Sequence, residues 1–381
     1  SDGVRITWRE LGERVKRYAG GFVAQGVSPG DTVAMLLTNR PEFNVLDAAA
    51  LHVGAVPFSI YVTSTVEQIR YFLEDSGAKL AITERAFAAK LREAAPHITT
   101  IIVDDSLAAL ETEPAGFDFE ATWRAVTPDA LLTIIYTSGT TGMPKGVELT
   151  HANILAQLRC FQAVREIEAG ARIISYLPHA HVADRMSTHY MNMFVGGTVT
   201  TCPDPRQLFE HVPDVRPTEF TGVPRVWEKF YSAVTIALRE SSRLQQLAYA
   251  WGIGVGMRIA DRILARQPVS AWLKLQFHVA RLIALNNVRK LIGVHRARFC
   301  VTGAAPISPD LVKWYLALGV PMAEVWGMTE TCGAATSTPA GGIKPGMVGP
   351  ACPFNEVRLD PITSEIQVRG PNVFMGYLNL P

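Results

Sequence analysis

Residues 136–146, YTSGTTGMPKG, place four Ser or Thr hydroxyls, three glycines and one lysine directly after the apolar run DALLTIIYT. Small residues let the chain turn tightly, so that successive backbone N–H groups point into one concavity suited to phosphate oxygens. Ser138, Thr140 and Thr141 add hydroxyl donors beside Thr137, Gly139 and Gly142, and Lys145 adds a positive charge. The stretch is not a Walker loop, because Met143 and Pro144 separate Gly142 from Lys145 and Gly146 follows the lysine. A surface turn rich in small residues would explain the glycines, but not a lysine and so many hydroxyls behind a buried strand.

Three further stretches carry reactive groups: LPHAHVADR, VTGAAPIS and EVWGMTET. On residue types alone, Gly303, Ala304 and Ala305 read equally well as a turn before Pro306, and Thr329 with Glu330 as a helix start. His179 and His181 suggest a polar turn after a strand, but no Cys or third His follows at metal-ligand spacing. The five cysteines lack CxxC pairing, which argues against a zinc site or a disulfide scaffold and fits a reducing cytoplasmic setting.

These stretches need a frame. Strand-like runs such as DTVAMLLT, AKLAIT, ITTIIVD, RIISYLP, GTVTTC and RFCVTG alternate with helical patterns, which predicts an α/β protein with parallel sheets. Thr7, Thr65 and Pro41 mark helix starts. Between Arg239 and Arg298 the pattern changes: eleven Lys or Arg stand against Glu240 and Asp261, in a chain whose net charge is +1. Within that window Leu244, Leu247, Trp251, Val255, Ile259 and Ile263 recur at three and four, the spacing of one helical face. The window reads as a basic helical insertion, either a solvated face or a surface for an anionic membrane. No apolar run reaches the roughly 18 residues of a membrane span, and no nucleic-acid partner is expected. Near the end, NEVRLD and SEIQVRG suggest a small β unit.

Taken together, these motifs resemble the acyl-CoA synthetases of the adenylate-forming superfamily, from the first residues to Pro381. YTSGTTGMPKG is similar to the family's phosphate loop, LPHAHVADR to its acyl-pocket motif, VTGAAPIS and EVWGMTET to its nucleotide motifs, and SEIQVRGPNVFMGYLN to the stretch leading to its last domain. The resemblance implies ATP-dependent conversion of a carboxylic acid to an acyl-adenylate, followed by thioester formation with coenzyme A and release of AMP and pyrophosphate. It implies that Thr137, Ser138, Gly139, Thr140, Thr141, Gly142 and Lys145 hold phosphate, and that Thr137 and Glu330 place Mg2+. It further implies that Gly303, Ala304, Ala305, Glu324, Val325, Trp326, Gly327 and Thr329 border the nucleotide, with His181 rather than His179 beside the acyl carboxylate. Trp326 stands where most relatives have tyrosine, so an indole would stack on adenine and no phenol hydroxyl is available there.

AHVADR and the helical insertion resemble the long-chain fatty acid branch. An aryl or medium-chain ligase, an acid-activating module for a carrier protein, and a nonenzymatic nucleotide binder of the same fold remain alternatives. The expected organisation is a large α/β region over 1–345, made of two similar subdomains with the insertion at 239–298, and the start of a small β-rich subdomain over 346–381. The expectation is that the family's C-terminal domain, which carries a catalytic lysine, is missing from this stretch, and the expected location is cytoplasmic, peripheral at the inner membrane surface. Oligomeric state is not legible.

Overall fold

The computed structural model describes residues 3–137, 142–339 and 341–380. Four strands, β1 (Thr32–Leu36), β2 (Val56–Ser59), β3 (Leu80–Thr83) and β4 (Thr99–Ile102), form a parallel sheet in the order β2-β1-β3-β4. Their near-continuous apolar sequences suit strands covered on both faces. Val33, Met35, Leu80 and Ile82 face one cluster with the helices Trp8–Ala24 and Pro41–His52; Ala34, Leu36, Val56 and Phe58 face another with Val66–Asp75 and Arg85–Ala94. The helix starts are built as the sequence predicts: Thr7 with Glu10 and Thr65 with Gln68 form capping boxes, and Pro41 opens its helix.

β5 (Leu131–Thr137) and β6 (Lys145–Thr150) make an antiparallel hairpin. Thr133 Oγ1 donates to the Pro57 carbonyl at 2.7 Å and ties it to β2. Beyond it, β7 (Arg172–Ser175) and β8 (Thr198–Thr201) pair in parallel. β9 (Glu219–Gly222), β10 (Phe299–Thr302) and β11 (Met322–Trp326) form a second parallel sheet, to which β12 (Thr336–Ser337) adds antiparallel. The architecture is α/β, with helices packed on parallel sheets. Within the last stretch, β13 (Glu356–Leu359) and β14 (Ile366–Arg369) form a hairpin, and β15 (Gly376–Tyr377) then returns to pair with β6.

The basic window folds as the helices Arg243–Leu264 and Ala271–Ala280, a π-helical turn Arg281–Leu285, and Asn286–Leu291. Its expected apolar face splits. Val255 and Ile259 are buried, whereas Leu244 and Leu247 are 77% and 69% exposed, with Trp251 and Ile263 also open. Helix Arg243–Leu264 rests its middle on the protein, where Gly252, Val255, Gly256, Ile259 and Ala260 are buried, and its first turns overhang. Periodicity names one face of a helix but not how much of its length is covered.

Candidate active site

The hairpin of β5 and β6 sets the first part of the site. Thr137 ends one strand opposite Lys145, which opens the other, so both stand at the hairpin mouth. Ser138, Gly139, Thr140 and Thr141 lie outside the described residues; Gly142 follows with φ +94°, a conformation that side chains rarely adopt.

The second part comes from β11 and the turn after it. Thr329–Thr331 form a single 3₁₀ turn, tied by the Met328 N–H donating to Thr331 Oγ1 at 3.1 Å. Glu330 then meets the hairpin through a residue that sequence reasoning passed over. Tyr377 donates its hydroxyl to Glu330 Oε1 at 2.9 Å, while the Lys145 ammonium stands 5.0 Å from the centre of the Tyr377 ring. β15 holds the tyrosine there by pairing Tyr377 with Val147 of β6. The Phe374 N–H also donates to the Glu330 carbonyl at 2.9 Å. Partial burial and the Glu330 carboxylate push the Tyr377 phenol up, so it remains a donor at neutral pH. The signal was a tyrosine beside a glycine in GYLN, which marks a strand but not its partner.

β10 and β11 are neighbouring parallel strands, so Gly303–Ala305 and Trp326–Gly327 emerge at the same sheet end. Crevices at the carboxyl ends of such strands are the usual binding places of open α/β sheets. A Cβ on Gly303 would lie 2.8 Å from Val325 Cγ2, and one on Gly327 would lie 2.5 Å from Ala334 Cα. Both positions are therefore closed to side chains. Ala304 has φ +69°, a strained conformation that exposes its peptide at the rim. Glu324 is turned away: its carboxylate is buried and accepts from the Gly346 N–H at 2.6 Å, bracing the loop after β12.

The third part is the segment before the helix formed by residues 182–195, which contains a π-helical turn over Arg185–Tyr190. The two histidines take opposite roles. His179 is buried, stacked on Phe43 with ring centres 3.6 Å apart, and its Nδ1 lies 2.7 Å from Asp184 Oδ2. His181 is exposed and caps the helix, its Nδ1 accepting from the Ala183 N–H at 3.0 Å. That bond places the proton of the neutral ring on Nε2, which is left to donate outward. Surrounding protein holds both rings below the usual imidazole range, with Asp184 opposing the shift.

A buried polar cluster, unforeseen from sequence, fixes this segment. Arg185 has no exposure; its Nη1 donates to Asp47 Oδ1 at 2.8 Å and to the Tyr190 hydroxyl at 2.6 Å. Its Nη2 donates to Ser59 Oγ at 3.0 Å and its Nε to the His179 carbonyl at 3.1 Å. His189 Nε2 lies 2.8 Å from the other oxygen of Asp47, so one carboxylate serves two partners. The Arg185 charge and the hydrogen bonds from Arg185 and His189 hold the Asp47 carboxyl below its ordinary range despite complete burial. Asp184 in turn accepts from Ser175 and Thr188, and Asn39 donates to Ser175 Oγ at 2.7 Å. Separated in sequence by more than a hundred residues, Asp47 and Arg185 carry no joint signal along the chain.

Between these parts lies a cavity of about 80 Å³. Ala183, Met186 and Met191 border it from the helix, and Val325, Gly333 and Ala334 from the segment around Glu330. Among the described residues no cluster of three or more His, Cys, Asp or Glu is arranged to hold a metal. All five cysteines are free and buried, and no described helix is long and apolar enough to cross a membrane.

A family profile described as AMP-binding enzyme matches residues 1–378. A protein named putative fatty-acid–CoA ligase fadD11 from Mycobacterium tuberculosis is 40% identical over 267 residues, 70% of this chain and 46% of that protein. A Xenopus laevis protein named long-chain-fatty-acid–CoA ligase ACSBG2 is 30% identical over 416 aligned positions, 99% of this chain and 54% of that protein. The chain thus spans about half the length of these curated relatives. The crystal structure of the N-terminal domain of FACL13 from Mycobacterium tuberculosis shares the fold, with a TM-score of 0.73 at 21% identity, over 99% of this chain and 86% of that one.

Proposed function

The chain belongs to the AMP-binding enzyme family, and from that premise we propose that it serves a ligase that activates a long-chain fatty acid with ATP and passes the acyl group to coenzyme A. The observation that carries the reading is the meeting of Lys145, Tyr377 and Glu330 at the mouth of the hairpin. The names of the relatives support a fatty acid as substrate.

In the first step an oxygen of the fatty carboxylate attacks the α-phosphorus of ATP, and pyrophosphate leaves with the electrons of the broken P–O bond. Thr137 and Lys145, at the mouth of the hairpin, meet the leaving phosphates with a hydroxyl and a positive charge. Trp326 offers adenine a flat face at the end of β11, opposite the side-chain-free backbone of Gly303. His181 Nε2 donates to the acyl carboxylate and holds it in line. In the second step the thiolate sulfur of coenzyme A attacks the acyl carbon, and AMP departs with its oxygen.

A magnesium ion suits this site, since Glu330 is a single carboxylate with one phenol partner, and magnesium commonly takes one or two protein carboxylates with phosphate oxygens and water. Thr137 and Glu330 would hold it, and when bound it would spread charge over the phosphate oxygens. The test is ATP-dependent thioester formation by the whole protein with palmitate and coenzyme A. Palmitoyl-CoA and AMP in equal amounts are expected; turnover only with aryl or short acids would refute the long-chain assignment.

The same reading places the basic insertion against an anionic membrane surface. Leu244, Leu247, Trp272 and Leu282 are exposed there, and Arg243, Arg258, Arg262 and Lys274 stand on the same helices. Arg289 is excluded, because it is buried and donates to the His295 carbonyl. Exposed apolar side chains flanked by cations suit the headgroup region. Sedimentation with phosphatidylserine vesicles should fall at least tenfold when Arg243, Arg258 and Arg262 are changed to glutamine; equal pelleting would refute it.

A further inference from the structure

The cavity bordered by Gly333 and Ala334 is not lined by hydrocarbon alone. Its apolar wall, formed by Phe161, Ile173, Met186 and Val301, closes on two charged side chains, Arg165 and Glu219. Arg165 follows the last residue of the helix His151–Val164, and Glu219 opens β9, so each is fixed by a backbone element. Their side chains are only 13% and 12% exposed. They approach to 3.6 Å, too far for a hydrogen bond, and among the described residues Arg165 Nε and Glu219 Oε2 are buried with no hydrogen-bond partner. The guanidinium lies 4.5 Å from the centre of the Phe299 ring, which supplies attraction but no acceptor.

A buried ion pair that leaves a donor and an acceptor unmet is a poor stop for a methyl group. Buried polar groups are nearly always paired, and exceptions call for a ligand, a water or a functional cause. One chemical group meets both needs at once: an aliphatic hydroxyl accepts from the guanidinium and donates to the carboxylate. Its oxygen can sit within hydrogen-bond distance of two atoms 3.6 Å apart. We infer that the acyl pocket is built for a fatty acid carrying a hydroxyl at its far end, with Arg165 and Glu219 as the specificity-determining residues. This rests on the acid-activation reading, because three further lining residues, Val325, Gly333 and Ala183, stand within three positions of Trp326, Glu330 and His181 along the chain. Burial pushes the Glu219 carboxyl up to about 7, consistent with a group short of partners. A hydroxyl serves either protonation state, since it donates to a carboxylate and accepts from a carboxylic acid. Sites built to bond a hydroxyl reject the analogue that lacks it far more strongly than apolar pockets reject an extra methylene.

The test uses stable acyl-adenylate analogues, in which a sulfamate replaces the phosphate, titrated calorimetrically into this chain. Two series of matched length, from six to sixteen carbons, end in a methyl or in a hydroxyl. At the length that reaches the pair, the hydroxyl analogue is expected to bind at least tenfold more tightly than its methyl partner. In the double variant Arg165→Met with Glu219→Leu, which leaves no lone buried charge, the preference should reverse in favour of methyl. Glu219→Gln, which keeps size and hydrogen bonding, should retain at least a threefold hydroxyl preference. Methyl analogues binding as well as hydroxyl analogues at every length would overturn the inference while leaving the activation reading intact. Failure of both series to bind would overturn that reading and the inference with it.

Discussion

Removing the carboxylate of Asp47 tests whether the buried cluster holds the segment that presents His181. Asp47 stands on the helix Pro41–His52, is fully buried, and accepts from Arg185 and His189 at 2.8 Å each. In Asp47→Ala, Arg185 keeps Tyr190, Ser59 and the His179 carbonyl but has no counter-charge, and His189 loses its acceptor. Breaking a buried pair by deleting one partner costs about 3–5 kcal/mol. Domains are stable by roughly 5–15 kcal/mol, so the variant should lose about a fifth or more of that margin. At roughly 2 °C per kcal/mol for a large chain, the melting temperature should drop by about 6–10 °C in thermal unfolding followed by tryptophan fluorescence. Pairing Asp47→Leu with Arg185→Met removes both charges and should recover much of the loss, because a well-packed apolar pair avoids the desolvation cost. A loss below about 1 kcal/mol in Asp47→Ala would refute the reasoning, since it would mean that water or a rearranged carboxylate reaches the guanidinium.

Glu330→Gln removes the carboxylate assigned to magnesium while leaving an acceptor for Tyr377; Mg2+-dependent ATP binding should weaken at least tenfold by calorimetry, with the melting temperature nearly unchanged. His181→Ala deletes the acceptor of the Ala183 N–H, costing about 0.5–2 kcal/mol as other helix caps do, and should weaken acyl-adenylate analogues by more than that stability loss explains. The stability contributed by His179 and His181 should fall as pH drops from 7 to 5. His179 and His181 are held below the usual imidazole value of about 6.5, so the unfolded chain takes up protons that the folded chain refuses. Their contribution is complete above that value and is lost as pH falls toward the folded ones. Glu219, raised to about 7, works oppositely: its contribution is complete below the ordinary carboxylate range and is lost as pH rises through about 7. His179→Gln should therefore flatten the slope between pH 7 and 5 in urea unfolding, and an unchanged slope would refute the assignment.

Local rules made the frame legible. Thr7, Thr65 and Pro41 open helices as written, and the apolar runs of β1, β3 and β10 are buried strands, because capping and strand burial depend on neighbours within a few residues. The motifs proposed for the site were legible in the sequence, but the contacts among them were not. Tyr377 reaches Glu330 across 47 positions, and Arg185 reaches Asp47 across 138. Neither pairing has a periodicity or a spacing that a single chain reveals. The insertion shows the same limit: its helical face was readable, but the exposed Leu244 and Leu247 depend on where the helix meets the body.

The two histidines show why a motif and its geometry carry different information. His179 and His181 are two residues apart in a turn, so extended backbone would send both side chains the same way. The turn separates them: His181 adopts the extended backbone of a helix cap, while His179 is drawn onto Phe43 and Asp184. What decides between them is the cluster behind, since Arg185 binds the His179 carbonyl and so fixes the backbone that leads into the cap. An outward Nε2 donor at 181 is thus a consequence of a buried carboxylate at 47, and the stability of one and the positioning of the other should change together when Asp47 is removed.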